Sequence, residues 1–142
     1  MRLEKGFLHV GVDTDGTTSP QDVGWGDLAL KKKADFIGKR SLIRPANVSP
    51  DRLQLIGLVA EDPQVLVAGA HLRLPGTSEG SDGCITSAAF SPTLGRAIGL
   101  GMLRRGRVWQ DQHIAVHDLG RAGSAKVVNT PFYDPQGARL HA

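Results

Sequence analysis

The side chains with the clearest chemical potential fall in one turn. Asp13-Thr14-Asp15-Gly16-Thr17-Thr18 follows the apolar run Phe7 to Val12. An aspartate after a strand, with a second two residues on, suits phosphoryl transfer. The first carboxylate attacks phosphorus and the second protonates the leaving group. That chemistry also needs alternating strand and helix units, a downstream lysine and paired aspartates for magnesium. The downstream chain is instead strand-rich and punctuated by glycine. The pattern therefore reads as a polar turn whose Asp and Thr side chains satisfy backbone donors. A calcium loop starting at Asp13 needs a bidentate Glu at its twelfth position, and that position is Gly24. His113 and His117 have the spacing of a metal pair on a helix. Their segment reads as a strand, where a rise of about 3.3 Å per residue sets them roughly 13 Å apart. Both are expected to face solvent. His9, His71 and His141 have no paired neighbour. Cys84 is the single cysteine, so it forms no internal disulfide or zinc cluster. Its apolar surroundings predict a small buried hydrophobe. Dinucleotide, Walker and Gly-x-Ser-x-Gly loops are absent from the sequence.

The elements that would position these groups fall into two segments. Residues 1–45 carry helix signals and loop chemistry. Ser19-Pro20-Gln21-Asp22 reads as a helix start, with Ser19 as N-cap, proline at the first helical position and Asp22 in the first turn. A second helix is expected over 36–43, capped by Asp35 and stopped by Pro45. From residue 46 onward the pattern turns to strands. Arg52 to Val59 places Leu53, Leu55 and Val59 on one face. Gly69 to Leu74 alternates, with Ala70, Leu72 and Leu74 opposite His71 and Arg73. Cys84 to Phe90 and the near-continuous apolar run Ala97 to Leu103 follow. His113 to His117 puts Ile114 and Val116 together, and Ala122 to Asn129 is the last strand. Six short strands with frequent turns predict an α+β, mainly β fold: a small antiparallel six-stranded β-barrel preceded by a helical tail.

Composition narrows the function classes. A chain of 142 residues that is 40% hydrophobic can bury a core and form one domain with an attached piece. The basic clusters Lys31 to Lys33 and Arg104, Arg105 and Arg107 read as a solvated face or a partner contact. Aromatics make up 5% of the chain and none is interleaved with them, so a stacking platform for nucleic acid is poorly supplied. No apolar run reaches the roughly 18 residues of a membrane span. No signal-peptide pattern opens the chain. A soluble cytoplasmic protein is expected.

An ordered set of segments carries more information than any single motif. Arg2-Leu3-Glu4-Lys5-Gly6 leads to His9-Val10-Gly11 and Asp13, then to Thr18-Ser19-Pro20 and Gly24-Trp25-Gly26. Asp35-Phe36-Ile37-Gly38-Lys39-Arg40-Ser41-Leu42 follows. Later come Gly83-Cys84-Ile85-Thr86-Ser87, Ser91-Pro92-Thr93-Leu94 and Ile98-Gly99-Leu100-Gly101. The series resembles the last third of the glycine-cleavage T-protein (aminomethyltransferase) family. Gln21-Asp22-Val23-Gly24-Trp25-Gly26, Phe132-Tyr133-Asp134-Pro135 and Arg139-Leu140-His141 suit its sarcosine oxidase α-subunit branch.

The resemblance implies a domain plan and a ligand. Residues 1–45 would be the C-terminal remnant of a central folate-binding domain, and 46–142 the C-terminal barrel. The family's catalytic aspartate and most of its folate site belong to earlier parts of the module, so the chain is expected to be a piece of a longer protein, inactive alone. The parent complex would demethylate sarcosine oxidatively to glycine and pass the one-carbon unit to tetrahydrofolate. FAD, FMN and NAD would belong to the parent complex only. Partners would be the remainder of the α subunit and the other subunits. Trp25 is a candidate wall for a flat pterin or benzoyl ring; packing at the junction of the two segments is its other reading. Asp13 would brace the loop beside the pocket, and Tyr133 and Arg139 could meet the glutamate tail. Residues 1–45 are expected to expose apolar surface, favouring partial disorder or self-association there.

Overall fold

The structure is a computed structural model and describes residues 2–60, 62 and 66–139. Leu140 and His141 lie outside the described residues.

Six strands close into one antiparallel barrel. They are β1 (Leu53–Ala60), β2 (His71–Arg73), β3 (Gly83–Ser91), β4 (Arg96–Arg104), β5 (His113–Asp118) and β6 (Arg121–Val128), in the circular order β1-β4-β3-β2-β5-β6. Closure removes the unpaired strand edges that would template aggregation. The expected six-stranded antiparallel barrel is the observed one. Side chains alternate along each strand, so every second residue enters the core. Leu58, Leu72, Ile85, Leu103, Val116 and Val127 fill it, all nearly inaccessible to solvent.

Leu53, Leu55 and Val59 share one face of β1, as expected, and it is the outer one. Ile56, Leu58 and Ala60 point inward. Both faces of β1 are apolar, and the outer one is partly covered, with Leu55 and Val59 half-buried and Leu53 exposed. Phe132 lies against Gly57 on the outside, where a Cβ would meet its ring at 3.1 Å. β4 is covered likewise. Gly101 faces Leu72 and Leu58 in the interior, while Ile98, Leu100 and Met102 are buried on the other side. Ile114 and Val116 are buried as expected, and His113 is exposed. His117 is half-buried opposite His71 on β2, so only His113 fully faces solvent. Cys84 is half-buried rather than enclosed, because it faces outward beneath the N-terminal segment.

The helical expectations for the first segment need correction. Pro20 to Gly24 forms a turn, and helix α1 begins after it, at Gly26–Leu30. Ser19 does bond Asp22: its N–H and hydroxyl donate to Oδ2 at 2.7 and 2.9 Å. Glycines at 24 and 26 and the demand of Arg52 on Asp22 keep this as a single closed turn. The 36–43 helix is a 3-10 helix over Lys39–Ile43 with Gly38 as its left-handed cap. Arg44 before Pro45 is extended, so that helix does stop there, and Pro45 then opens helix α2 (Pro45–Val48). Arg2 to Gly6 is a turn closed by the Gly6 N–H to the Leu3 carbonyl. Residues 2–25 thus form a strap lying on the barrel. As expected, this first segment exposes apolar side chains, including Phe7, Val10, Trp25, Leu28 and Ile37.

The crossing of β3 and β4 sets a strict size limit. A Cβ at Gly83 would overlap the Met102 carbonyl oxygen, and backbone cannot swing aside. Gly83→Ala is expected to lower stability by about 1–3 kcal/mol. Gly16→Ala, with nothing within 4 Å of the new Cβ, should change it by under about 0.5 kcal/mol. Urea midpoints at constant slope check the pair.

Candidate functional site

Two buried carboxylates fasten the strap to the barrel. Asp13 is 1% exposed. Its Oδ2 accepts from Arg2 Nη1 at 2.6 Å and from the His9 N–H at 2.8 Å. Its Oδ1 accepts from the hydroxyls of Thr86 and Ser87, both at 2.6 Å. Thr86 and Ser87 are adjacent, and in a regular strand they would point to opposite faces. A β-bulge between Ile85 and Ser87 shifts the register of β3 against β4. The bulge re-aims the strand, so both hydroxyls reach one carboxylate oxygen. Arg2 Nη2 also donates to the Ser87 hydroxyl at 2.9 Å, which completes the network.

Asp22 is the second fastening and is 3% exposed. Arg52 grips it bidentately, Nε to Oδ1 at 2.7 Å and Nη2 to Oδ2 at 2.5 Å. The fork of a guanidinium matches a carboxylate in this way. The Asp22 carbonyl accepts from the Leu55 N–H of β1 at 2.8 Å. Further ties run at the other side of the strap. Ser91 donates to Glu4 Oε1, the Tyr133 N–H donates to the Glu4 carbonyl, and Lys5 Nζ meets Asp134 Oδ2 at 2.8 Å.

These contacts set the electrostatics. Burial pushes the Asp13 carboxyl up, but donation from Ser87, Thr86, His9 and Arg2 outweighs it and holds the group below the ordinary range. Burial likewise opposes Arg52 and Ser19 at Asp22, and the donors again win. Lys5 lowers Asp134. With both oxygens occupied and no access for solvent, Asp13 cannot serve as a nucleophile toward phosphorus. Asp15 is exposed and accepts from the Thr17 N–H and from the Thr17 and Thr18 hydroxyls. The turn is the self-satisfied polar loop expected of its composition.

Between the two fastenings the strap arches off the barrel and leaves two adjoining hollows that share Thr14, Asp15 and Thr18. One, of about 470 Å³, has apolar walls including Phe7, Leu8, Val10, Val23 and Trp25. The Trp25 indole is 55% exposed, and its N–H backbone donor is fixed on the Pro20 carbonyl at 2.7 Å. The other hollow, of about 350 Å³, lies over the barrel between Val12, Arg52, Leu53, Cys84 and Met102. Trp25 and Asp13 thus sit at this region, the first as a wall and the second as a fastening beneath it. Tyr133 and Arg139 line neither hollow. They stack on one another, with the guanidinium 5.5 Å from the ring centroid. Sequence reasoning missed Arg2, Arg52, Thr86 and Ser87. Their hydroxyls and guanidinium groups become partners of Asp13 and Asp22 only through the bulge and the barrel closure. Among the described residues, no three His, Cys, Asp or Glu side chains group to hold a metal. No helix among them is long and apolar enough to cross a membrane.

A closed six-stranded antiparallel barrel wearing an N-terminal strap over its β1, β3 and β4 face defines the class of domain. Residues 54–134 match the glycine cleavage T-protein C-terminal barrel domain, and the chain belongs to that family. It is 37% identical to the sarcosine oxidase subunit alpha of Rhizobium meliloti, over 99% of this chain and 15% of that protein. It is 39% identical to an aminomethyltransferase of Nitrosomonas eutropha, over 93% of this chain and 35% of that one. The crystal structure of the glycine cleavage system aminomethyltransferase T from Bartonella henselae superposes with a TM-score of 0.78 at 25% identity, covering 94% of this chain and 37% of its own. The chain therefore spans about a seventh of the oxidase relative and about a third of the transferase relative.

Asp13→Asn should cost about 2–3 kcal/mol, less than the roughly 3–5 of breaking a fully buried pair, because Arg2 is 38% exposed. Thermal or urea unfolding checks it. Asp13, Asp22 and Asp134 are all lowered in the folded state. Below their unfolded values near about 4 the unfolded chain binds more protons, so stability rises with pH there. Full stability is expected above about pH 5, with loss as pH falls through the folded values. An Asp13→Asn/Asp22→Asn variant should show a flatter acid limb in pH-dependent urea unfolding.

Proposed function

We propose that the chain is the C-terminal part of a sarcosine oxidase α subunit. Residues 1–45 complete its central folate-binding domain, and residues 46–142 form the barrel that closes over the folate pocket. The observation that carries this reading is the resemblance to the oxidase subunit along nearly the whole chain, joined to an apolar hollow walled by an exposed indole. A flat pterin or benzoyl ring suits such a wall, since stacking on an indole recovers aromatic surface from water. The parent complex would oxidise sarcosine to glycine with its flavins and NAD, and the one-carbon unit would pass to tetrahydrofolate. The residues here would bind and enclose folate and would not perform the chemistry. Asp13 acts as a positioning residue for the strap. Tyr133 and Arg139, if they meet the glutamate tail, do so as a stacked pair. The barrel-only reading, a non-catalytic domain that joins subunits, is favoured by Arg104 and Arg105, which line neither hollow.

Calorimetry with tetrahydrofolate separates these readings, using this chain and the polypeptide extended through the whole folate module. The folate reading expects binding by the extended form only, and Trp25→Ala weakening it about tenfold, the loss of roughly 1.4 kcal/mol of stacking. Absence of binding by both forms contradicts it and leaves the joining role.

A further inference from the structure

The least-paired strand of the ring is β2. It spans three residues, where β1, β3, β4 and β6 span eight or nine. It shares register with Gly83 and Cys84 alone on β3, and with Ala115 to His117 on β5. Two histidines meet across the second of these seams. His71 on β2 stands directly opposite His117 on β5. Leu72 and Val116, the next pair along, point into the core, so both imidazoles leave the outer wall together. Opposed residues of an antiparallel pair hold their Cβ atoms about 4.5–5.5 Å apart. Metal-to-imidazole bonds are about 2.0–2.1 Å, so one ion can take a nitrogen from each ring while the backbone stays in place. His71 is exposed and His117 half-buried. Among the described residues, neither imidazole is engaged in a hydrogen bond or ion pair. Arg73, on the same face of β2, is tied to the Gly80 carbonyl at 2.8 Å.

We propose that His71 and His117 chelate one divalent transition-metal ion, with water in its remaining positions, and that the ion staples β2 to β5. The seat takes two imidazoles and no third side chain. His113 shares the outer face of β5 but stands roughly 13 Å from His117 along the strand. Cys84 opposes His71 from its other side, on β3, and the convex wall spreads it away from His117. That arrangement agrees with the lack of any three-donor group among the described residues. Imidazole nitrogen suits nickel, copper and zinc, whereas magnesium and calcium prefer oxygen throughout. The closed barrel has already fixed both backbones, so little ordering remains to oppose chelation. An ion that binds the folded chain and is released on unfolding stabilises the fold by mass action. Neither histidine lines the two hollows under the strap, so the seat is independent of folate.

Nickel is the probe, added to the tag-free chain. Calorimetry measures its affinity for the wild type, for His71→Asn/His117→Asn and for His113→Asn, and thermal unfolding is followed with and without the ion. Losing the chelate should weaken binding by about tenfold or more in the double variant. His113→Asn should bind as the wild type does. Nickel should raise the unfolding midpoint of the wild type and of His113→Asn, and magnesium at the same concentration should not. Both substituted positions face outward, and circular dichroism checks that the double variant is folded. In amide NMR spectra, paramagnetic broadening by nickel should fall first on residues 71 and 117 and their strand neighbours, a readout that needs no variant. Equal affinity and an equal midpoint shift in the folded double variant mean an adventitious ion only and overturn the proposal. Broadening centred on His113, Cys84 or the N-terminus overturns it too, as does a midpoint that nickel leaves unchanged.

Discussion

Asp13 is the interaction on which the rest of this structure depends. A carboxylate removed from water costs several kcal/mol unless its lone pairs are filled. Here four donors fill them, and they come from two parts of the chain: Arg2 and His9 in the strap, and Thr86 and Ser87 in the bulge of β3. The carboxylate thereby converts a desolvation cost into a positional constraint. The strap cannot shift along the barrel without leaving at least one strong acceptor buried and unfilled.

The second constraint, Arg52 on Asp22, fixes the strap about ten residues further on. Between these two points the loop closes on itself through Asp15, Thr17 and Thr18. It therefore needs no support from the barrel and can stand away from it. The hollows exist because of that division of labour. The fastening carboxylates are buried under the strap, the hollow beside Trp25 has mainly apolar walls, and the one over the barrel is mixed, with Arg52 beside Leu53 and Met102. Trp25 is exposed for the same reason: the turn from Pro20 fixes its backbone, and the described residues leave it 55% exposed.

The barrel was legible in the sequence and the strap was not. Strands announce themselves through alternation or short apolar runs between turns: Ala70, Leu72 and Leu74 set against His71 and Arg73 read directly, and β4 reads as the near-continuous run Ala97 to Leu103. On β1 the shared face of Leu53, Leu55 and Val59 was legible, but which face points inward was not, since the outer residues are as apolar as the inner ones. Periodicity cannot tell inside from outside when both faces are apolar. The strap lacks a period altogether. Its shape comes from contacts with residues some 30 to 85 positions away, such as Asp22 with Arg52 and Arg2 with Ser87. Ser19, Pro20 and Asp22 carry a helix-start signature, yet Asp22 is claimed by Arg52 and by Ser19 at once, and the turn closes there. The site follows the same rule. Asp13 and Trp25 stood out by residue type, whereas Thr86 and Ser87 gain their role only from a bulge that no local motif announces.

The glycine positions and the buried hydroxyls point to one physical picture. The barrel is rigid because backbone meets backbone, and the strap is held on it by a few strong polar contacts rather than by a broad apolar seam. Its local stability should then hinge on single residues. Native-state hydrogen exchange of the Asp13→Asn variant measures this most directly. The account predicts faster exchange of the Asp13 N–H, which donates to the His9 carbonyl, and of the neighbouring strap amides, with the β3 and β4 ladder amides slowed or sped only by the change in global stability. Uniform acceleration across strap and barrel, or none in the strap, would contradict it.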